Sequence, residues 1–97
     1  MKFSGQPNMQ QMMKQAQEMQ KKMDALKEEL AETAIEATSG GGMVTAEMTG
    51  AYELINLKIK PEAIDPDDPE MLEDLVIAAI NEALSQVTKL RNETLPL

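Results

Sequence analysis

The chain has 97 residues and a formal net charge of −8, and it contains no cysteine and no histidine. This composition excludes thiolate nucleophiles, imidazole bases and disulfides, and no stretch approaches the roughly 18 apolar residues of a membrane span. We expect a single soluble, cytoplasmic domain over residues 1–97, without a signal peptide and small enough for dimerisation to stabilise it.

The first third of the chain carries the strongest pattern. Residues 1–7 are expected to be mobile, and Asn8 is a candidate N-cap because its side chain can accept a free backbone N–H. Apolar residues then recur at alternating steps of three and four, the a/d pattern of a coiled-coil seam, which predicts one helix running to about Ala31. A chain this short has little with which to cover such a stripe, so a second copy of itself is the simplest cover. The seam residues are Met9, Met12, Ala16, Met19, Met23, Leu26 and Leu30.

Three short segments in the middle of the chain alternate like β-strands. Residues 32–39 alternate weakly, three glycines at 40–42 interrupt the pattern, and residues 43–48 resume it. Residues 52–60 are the clearest strand, with apolar side chains on one face and polar ones on the other. Residues 49–50 supply a tight turn whose type the sequence leaves open. The two short connections predict a three-stranded antiparallel meander.

A second long helix is predicted near the end of the chain. Three prolines and four acids make residues 61–69 a stiff loop. Asp68 as N-cap and Pro69 as first helical residue give a clear start, because acids oppose the positive helix end. A broad apolar face then runs to about Glu93, and residues 94–97 form a short tail. We expect this helix to cover the sheet on one flank and touch the first helix on the other, giving an α+β fold in the order α-β-β-β-α.

Two motifs suggest a ligand site but fail on spacing. The glycines at 40–42 lack the Lys-Ser/Thr pair and the following helix of a P-loop, so we interpret them as a hairpin loop. Counted from Asp65, the EF-hand positions for glycine and for the last glutamate hold Glu70 and Val76, so the acids there cap and charge a helix start. No serine has a general base at readable spacing. We therefore assign no catalytic residue, no cofactor and no metal, and expect no enzyme.

Charge is distributed unevenly along the chain. Residues 1–22 hold four lysines against one acid, a local +3, whereas residues 51–97 hold ten acids against four bases, a local −6. Lys14 and Lys21 lie seven residues apart on the face opposite the seam, with Lys22 beside them. They form either a phosphate-contacting stripe or a solvated helix face. Three lysines are few for a polyanion, and a two-fold dimer would double them.

Several segments of the chain have a characteristic order and spacing: Met12–Gln20, Gly42–Val44, Thr49–Gly50, Leu57–Pro61, Met71–Val76 and Ala78–Ala83. Together they resemble the YbaB/EbfC family of small bacterial nucleoid-associated proteins, over nearly the whole chain. The resemblance implies an α-β-β-β-α homodimer with protruding, tweezer-like helices. It also implies sequence-tolerant binding of duplex DNA in the cytoplasm, at the nucleoid, with a role in nucleoid organisation or gene expression.

The resemblance also implies where DNA is contacted, on the helical ends. These correspond here to Lys14, Lys21, Lys22, Lys89 and Arg91. The chain departs from the family in its strong acidity and in carrying little of the Met- and Pro-rich tail of many members. The acidity favours an alternative, a protein-interaction adapter in DNA metabolism with little direct DNA binding. The sequence leaves open the DNA preference and the surface that forms the dimer.

Overall fold

A computed structural model describes residues 8–96 of the chain. It confirms the α+β class and the α-β-β-β-α order, with a 3-10 turn added before the last helix. The expectation of a mobile start concerns residues 1–7, which lie outside the described residues. The elements are α1 (Met9–Glu32), β1 (Ala34–Ser39), β2 (Val44–Thr49), β3 (Leu54–Ile59), the 3-10 turn (Pro61–Ala63) and α2 (Pro69–Thr94).

Both ends of α1 are fixed by local hydrogen bonds. The side chain of Asn8 accepts from the backbone N–H of Gln11 at 2.8 Å, which confirms the predicted N-cap. At the other end, Thr33 adopts an extended backbone, and its hydroxyl donates to the carbonyl oxygen of Glu29 at 2.8 Å. The 24 residues between make a helix about 36 Å long. The molecule measures 82 × 20 × 16 Å, so α1 extends along its long axis.

The three strands form the predicted antiparallel meander, in the order β1-β2-β3. Ala46 in the central strand lies opposite Ala37 on one side and Leu57 on the other. The hairpin between β1 and β2 turns on the three glycines at 40–42, whose φ angles of 60°, 67° and 94° favour glycine. The sequence analysis predicted this hairpin loop at the three glycines, and the structure confirms it.

The connection between β2 and β3 differs from the tight turn expected at Thr49-Gly50. The residue with positive φ is Tyr52, at 64°, and the backbone N–H of Thr49 closes a wider loop by donating to Glu53 at 2.8 Å. Glycine is required at position 50 by close packing and not by a positive φ, because a Cβ there would lie 2.5 Å from the carbonyl oxygen of Leu30. Its N–H donates to that oxygen at 2.9 Å. The sequence predicted a turn near these residues and left its type open, and the structure shows a wider loop with positive φ at Tyr52.

The core lies between α2 and the two strands β1 and β2. Asp68 caps α2 by accepting from the N–H of Met71 at 3.3 Å, as predicted. Small residues spaced four apart on α2 let the helix approach the sheet closely, and β3 remains an edge strand with exposed apolar side chains. The last turn of α1 contacts α2, and Leu30 and Leu90 line one small cavity there. The buried core residues are Ala37, Val44, Ala46, Met48, Ala79, Ala83 and Val87.

Candidate nucleic-acid interface

The outer part of α1 projects from the rest of the molecule. Every residue from Asn8 to Lys22 is exposed, whereas Met23 and Leu26 are half-buried and Leu30 is buried. The predicted seam is therefore covered only where α1 joins the sheet. We call residues 9–22 the arm, and its whole circumference is open to another molecule.

The arm carries three lysines that sequence analysis assigned to DNA binding. Lys14, Lys21 and Lys22 are all exposed. Seven residues of helix separate Lys14 from Lys21, about 10.5 Å along the axis, which corresponds to about three base-pair steps of duplex DNA. Lys22 lies to one side of this pair. The spacing allows the lysine face of the arm to contact several phosphates.

Polar side chains on the arm can supplement these lysines. Gln15 lines a shallow surface groove together with Glu18, Met19 and Lys22, so an uncharged hydrogen-bonding group lies directly beside a cation. A glutamine can bond phosphate oxygens or base edges without selecting one sequence. Glu18 adds one negative charge within the same groove and weakens its positive potential.

Charge is segregated along α1 itself. Residues 9–22 hold three lysines against one acid, a net +2, whereas residues 23–32 hold one lysine against four acids, a net −3. The positive part is the exposed arm, and the negative part adjoins the sheet. A polyanion approaching the protein therefore meets attraction at the arm and repulsion nearer the core.

The main acidic cluster lies at the far end of the sheet from the arm. The last turn of α1, which we call its root, contacts Gly50 at the end of β2. The first turns of α2 lie at the other end of the sheet, beside the β1–β2 hairpin, where the hydroxyl of Ser39 donates to the carbonyl oxygen of Leu75 at 2.5 Å. Residues 61–74, with seven acids and no base, lead into that start. A six-residue strand is about 20 Å long, twice the Debye length at 0.1 M salt. These acids therefore act only weakly on an anion bound at the arm.

Arg91 lies apart from the arm lysines and is engaged in contacts within the protein. Its guanidinium donates to the carbonyl oxygen of Gly50 at 2.8 Å and lies 5.2 Å from the ring centroid of Tyr52. The Tyr52 hydroxyl in turn shares a 2.7 Å hydrogen bond with that of Thr88. These contacts tie the end of α2 to the loop that supports α1. Sequence analysis missed this role, because no local pattern links residues about forty positions apart.

Lys89 occupies the other flank of α2. It lines an open groove of about 570 Å³ with Glu82, Glu93 and Ile35, so two carboxylates accompany one ammonium group. The structure therefore brings Lys14, Lys21 and Lys22 together on the arm and places Lys89 and Arg91 at its root.

The acids that invited a metal interpretation serve the backbone. The carboxylate of Asp65 accepts from the N–H of Asp67 at 2.9 Å, and Asp68 caps α2. Within residues 8–96, no group of three or more His, Cys, Asp or Glu side chains could hold a metal ion. Over the same residues, no helix combines the length and apolarity needed to cross a membrane.

Residues 5–96 match the sequence model of the YbaB/EbfC DNA-binding family. The chain belongs to this family. A nucleoid-associated protein of Alkaliphilus metalliredigens is 51% identical over 82 residues, covering 84% of this chain and 72% of the relative. A nucleoid-associated protein of Oceanobacillus iheyensis is 51% identical over 88 residues, covering 91% and 85% respectively.

A solved structure shares the YbaB/EbfC-type fold found here. The crystal structure of HP0035 from Helicobacter pylori superposes with a TM-score of 0.81 at 26% identity, covering 91% of this chain and 92% of that one. The likeness extends over both helices and the sheet, so the fold implied by the sequence resemblance is confirmed.

Proposed function

We propose that this protein is a homodimeric, sequence-tolerant duplex-DNA-binding protein of the bacterial nucleoid, which acts by binding and catalyses no reaction. The observation that carries the proposal is the exposed cluster of Lys14, Lys21 and Lys22 on an arm held away from the acidic core. Membership of a DNA-binding family and relatives named nucleoid-associated proteins support it. Cytoplasmic nucleoid localisation, with an influence on DNA organisation or gene expression, follows from the same proposal.

The proposed binding is electrostatic. Lysine ammonium groups that neutralise phosphates release condensed counterions into solution. Added salt opposes this release, so log K falls against log salt with a slope of about −0.9 per contact. Three lysines on one arm give a slope of about −3, and six on a dimer give about −5. Contacts to phosphates fix position without reading bases, so binding tolerates many sequences.

An uncovered apolar surface supplies the proposed dimer interface. Ile77 on α2 is 56% exposed and Leu57 on β3 is 36% exposed, although both are large apolar side chains. Ile59, Leu72, Val76 and Ile77 line an open hollow of about 420 Å³ between helix and edge strand. Contiguous exposed apolar surface is typical of an interface, and a two-fold axis would place the same surface of a second copy against it. We call this surface the α2–β3 face.

The proposal divides the five predicted DNA contacts by their surroundings. The arm residues Lys14, Lys21 and Lys22 make the main contacts. Lys89 makes a peripheral one, because two neighbouring carboxylates offset its charge. Arg91 acts as a positioning residue, since its guanidinium already bonds Gly50.

The test is a gel shift on duplex DNA at low and moderate salt with the triple variant Lys14→Glu, Lys21→Glu and Lys22→Glu. We expect this variant to lose binding. A matched control makes the same charge change at exposed lysines off the arm, with substitutions Lys27→Glu, Lys58→Glu and Lys60→Glu, and we expect it to retain binding. Undiminished binding by the arm variant would remove the proposed surface.

The net charge of −8 favours a second candidate, a protein-interaction adapter in DNA metabolism. This adapter would use the soft methionine seam of α1 to hold a protein partner, since methionine adapts to varied surfaces. Capture of a partner that survives nuclease treatment, with no DNA shift at low salt, would select this function.

A further inference from the structure

The methionine face of the arm stays uncovered even when the α2–β3 face is occupied. Met9, Met12 and Met19 are 74%, 53% and 56% exposed, and they lie on the opposite side of the helix from Lys14 and Lys21. DNA bound at Lys14 and Lys21 would therefore leave Met9 and Met12 open, whereas Met19 shares a groove with Lys22. We infer that the arm is a second self-association surface, on which the α1 seams of two different dimers pair antiparallel. The inference rests on the proposed homodimer and extends it to a larger assembly.

The spacing of the seam favours another copy of α1 as the occupant. Its apolar positions repeat every 3.5 residues on average, the period at which two helices can stay in contact along their length. An identical helix has the same period. The stretch Met9–Leu26 spans about 27 Å, and Ala16 near its centre permits close approach. Leu30 is buried against Gly50 and is therefore unavailable to a partner helix.

The charge distribution selects the antiparallel orientation. Residues 9–22 carry a net +2 and residues 23–32 a net −3. Parallel pairing would place the two acidic segments side by side, whereas antiparallel pairing places them at opposite ends of the helix pair, with residues 13–22 of each copy facing residues 13–22 of the other. The helix macrodipoles also oppose one another in that orientation. It further puts the two sheets at opposite ends of the helix pair, where they cannot collide.

The register follows from leaving Leu30 out. The longest antiparallel overlap of the remaining seam places Met12 of one copy opposite Met23 of the other, with Ala16 opposite Met19. Parallel pairing would instead place each of these residues opposite itself. The two orientations therefore differ in which positions meet.

Because the chain contains no cysteine, single substitutions can report this geometry. Full-length Met12→Cys and Met23→Cys proteins, distinguished by a mass tag, are mixed and mildly oxidised. We expect disulfides between position 12 of one chain and position 23 of the other. A Lys14→Cys protein, substituted on the opposite face of the helix, is the matched control and should form no disulfide above background. Disulfides mainly between identical positions, or none above this control, would overturn the inference.

Sedimentation separates this inference from the proposed function. The native protein should form a species larger than a dimer as concentration rises, and the double variant Met9→Gln, Met12→Gln should lose that species while remaining a dimer that shifts DNA. A larger species that persists in this variant would overturn the seam pairing. Failure of the native protein to bind DNA would overturn the proposed function and leave the disulfide result to decide the pairing.

Discussion

The guanidinium of Arg91 donates a 2.8 Å hydrogen bond to the carbonyl oxygen of Gly50, whose own N–H bonds the last turn of α1. Arg91 is thus linked to α1 through a single residue, Gly50. Its contact with the Tyr52 ring adds a cation–π interaction at 5.2 Å. The end of α2, the β2–β3 loop and the root of α1 are consequently held as one unit.

Replacement of Arg91 should loosen this unit. Arg91→Ala removes a partly buried hydrogen bond and a cation–π contact, which should lower the free energy of unfolding by about 1–3 kcal/mol. Lys89→Ala, at a neighbouring exposed position, should change it by less than about 0.5 kcal/mol. Urea unfolding followed by circular dichroism measures both. Equal stability of the two variants would show that the Arg91 contacts contribute nothing.

Gly50 should tolerate no side chain. The Cβ of Gly50→Ala would lie 2.5 Å from the carbonyl oxygen of Leu30, so α1 and the β2–β3 loop must move apart. We expect a loss of about 2–4 kcal/mol in unfolding free energy. Gly41→Asn is the control, because Asn accepts a left-handed backbone and no heavy atom lies within 4 Å of the Cβ position. Thermal unfolding of both variants gives the comparison. A Gly50→Ala protein as stable as the control would contradict the close approach.

The N-cap of α1 should control the stability of the first turns of the arm, because the arm has no tertiary packing to hold them. Asn8→Ala removes the acceptor for the N–H of Gln11 and should destabilise the first turns by about 1 kcal/mol. Hydrogen exchange should then accelerate at the start of the arm and remain unchanged in α2. Asn92→Ala, at an exposed position inside α2, should leave exchange in the arm as it was.

The α2–β3 face should fail as an interface when it is charged. Ile77→Asp would bury a carboxylate against a second copy, and we expect the protein to sediment as a monomer. Met71→Asp lies on the opposite flank of α2 and, although Met71 is also exposed, should leave the dimer intact. A stable dimer of the Ile77→Asp protein would place the interface elsewhere.

The features that sequence alone predicted depend on local patterns. Asn8 and Asp68 were identified as N-caps because each places a side-chain acceptor directly before a helical pattern of apolar residues. The glycines at 40–42 indicated a hairpin in the same local way. The role of Arg91 depends on segments far apart in sequence. For the same reason, the sequence predicted an apolar face on α2 without indicating that this helix would pack on β1 and β2 and leave β3 exposed.

The exposure of the candidate site residues was predictable to a similar degree. Heptad spacing places Lys14 and Lys21 on one face and Met9, Met12 and Met19 on the other, and both groups are exposed in the structure. What spacing could not give is distance from the acidic segment 61–74, because that depends on which end of the sheet each helix joins.

The salt dependence of duplex-DNA binding tests the central claim most directly. With two arms per particle, log K should fall against log salt with a slope of about −5, and the Ile77→Asp protein should give about −3. Fluorescence anisotropy of one labelled duplex over a range of salt concentrations measures both slopes. A slope near zero, or the same slope for both proteins, would contradict DNA binding by paired lysine arms.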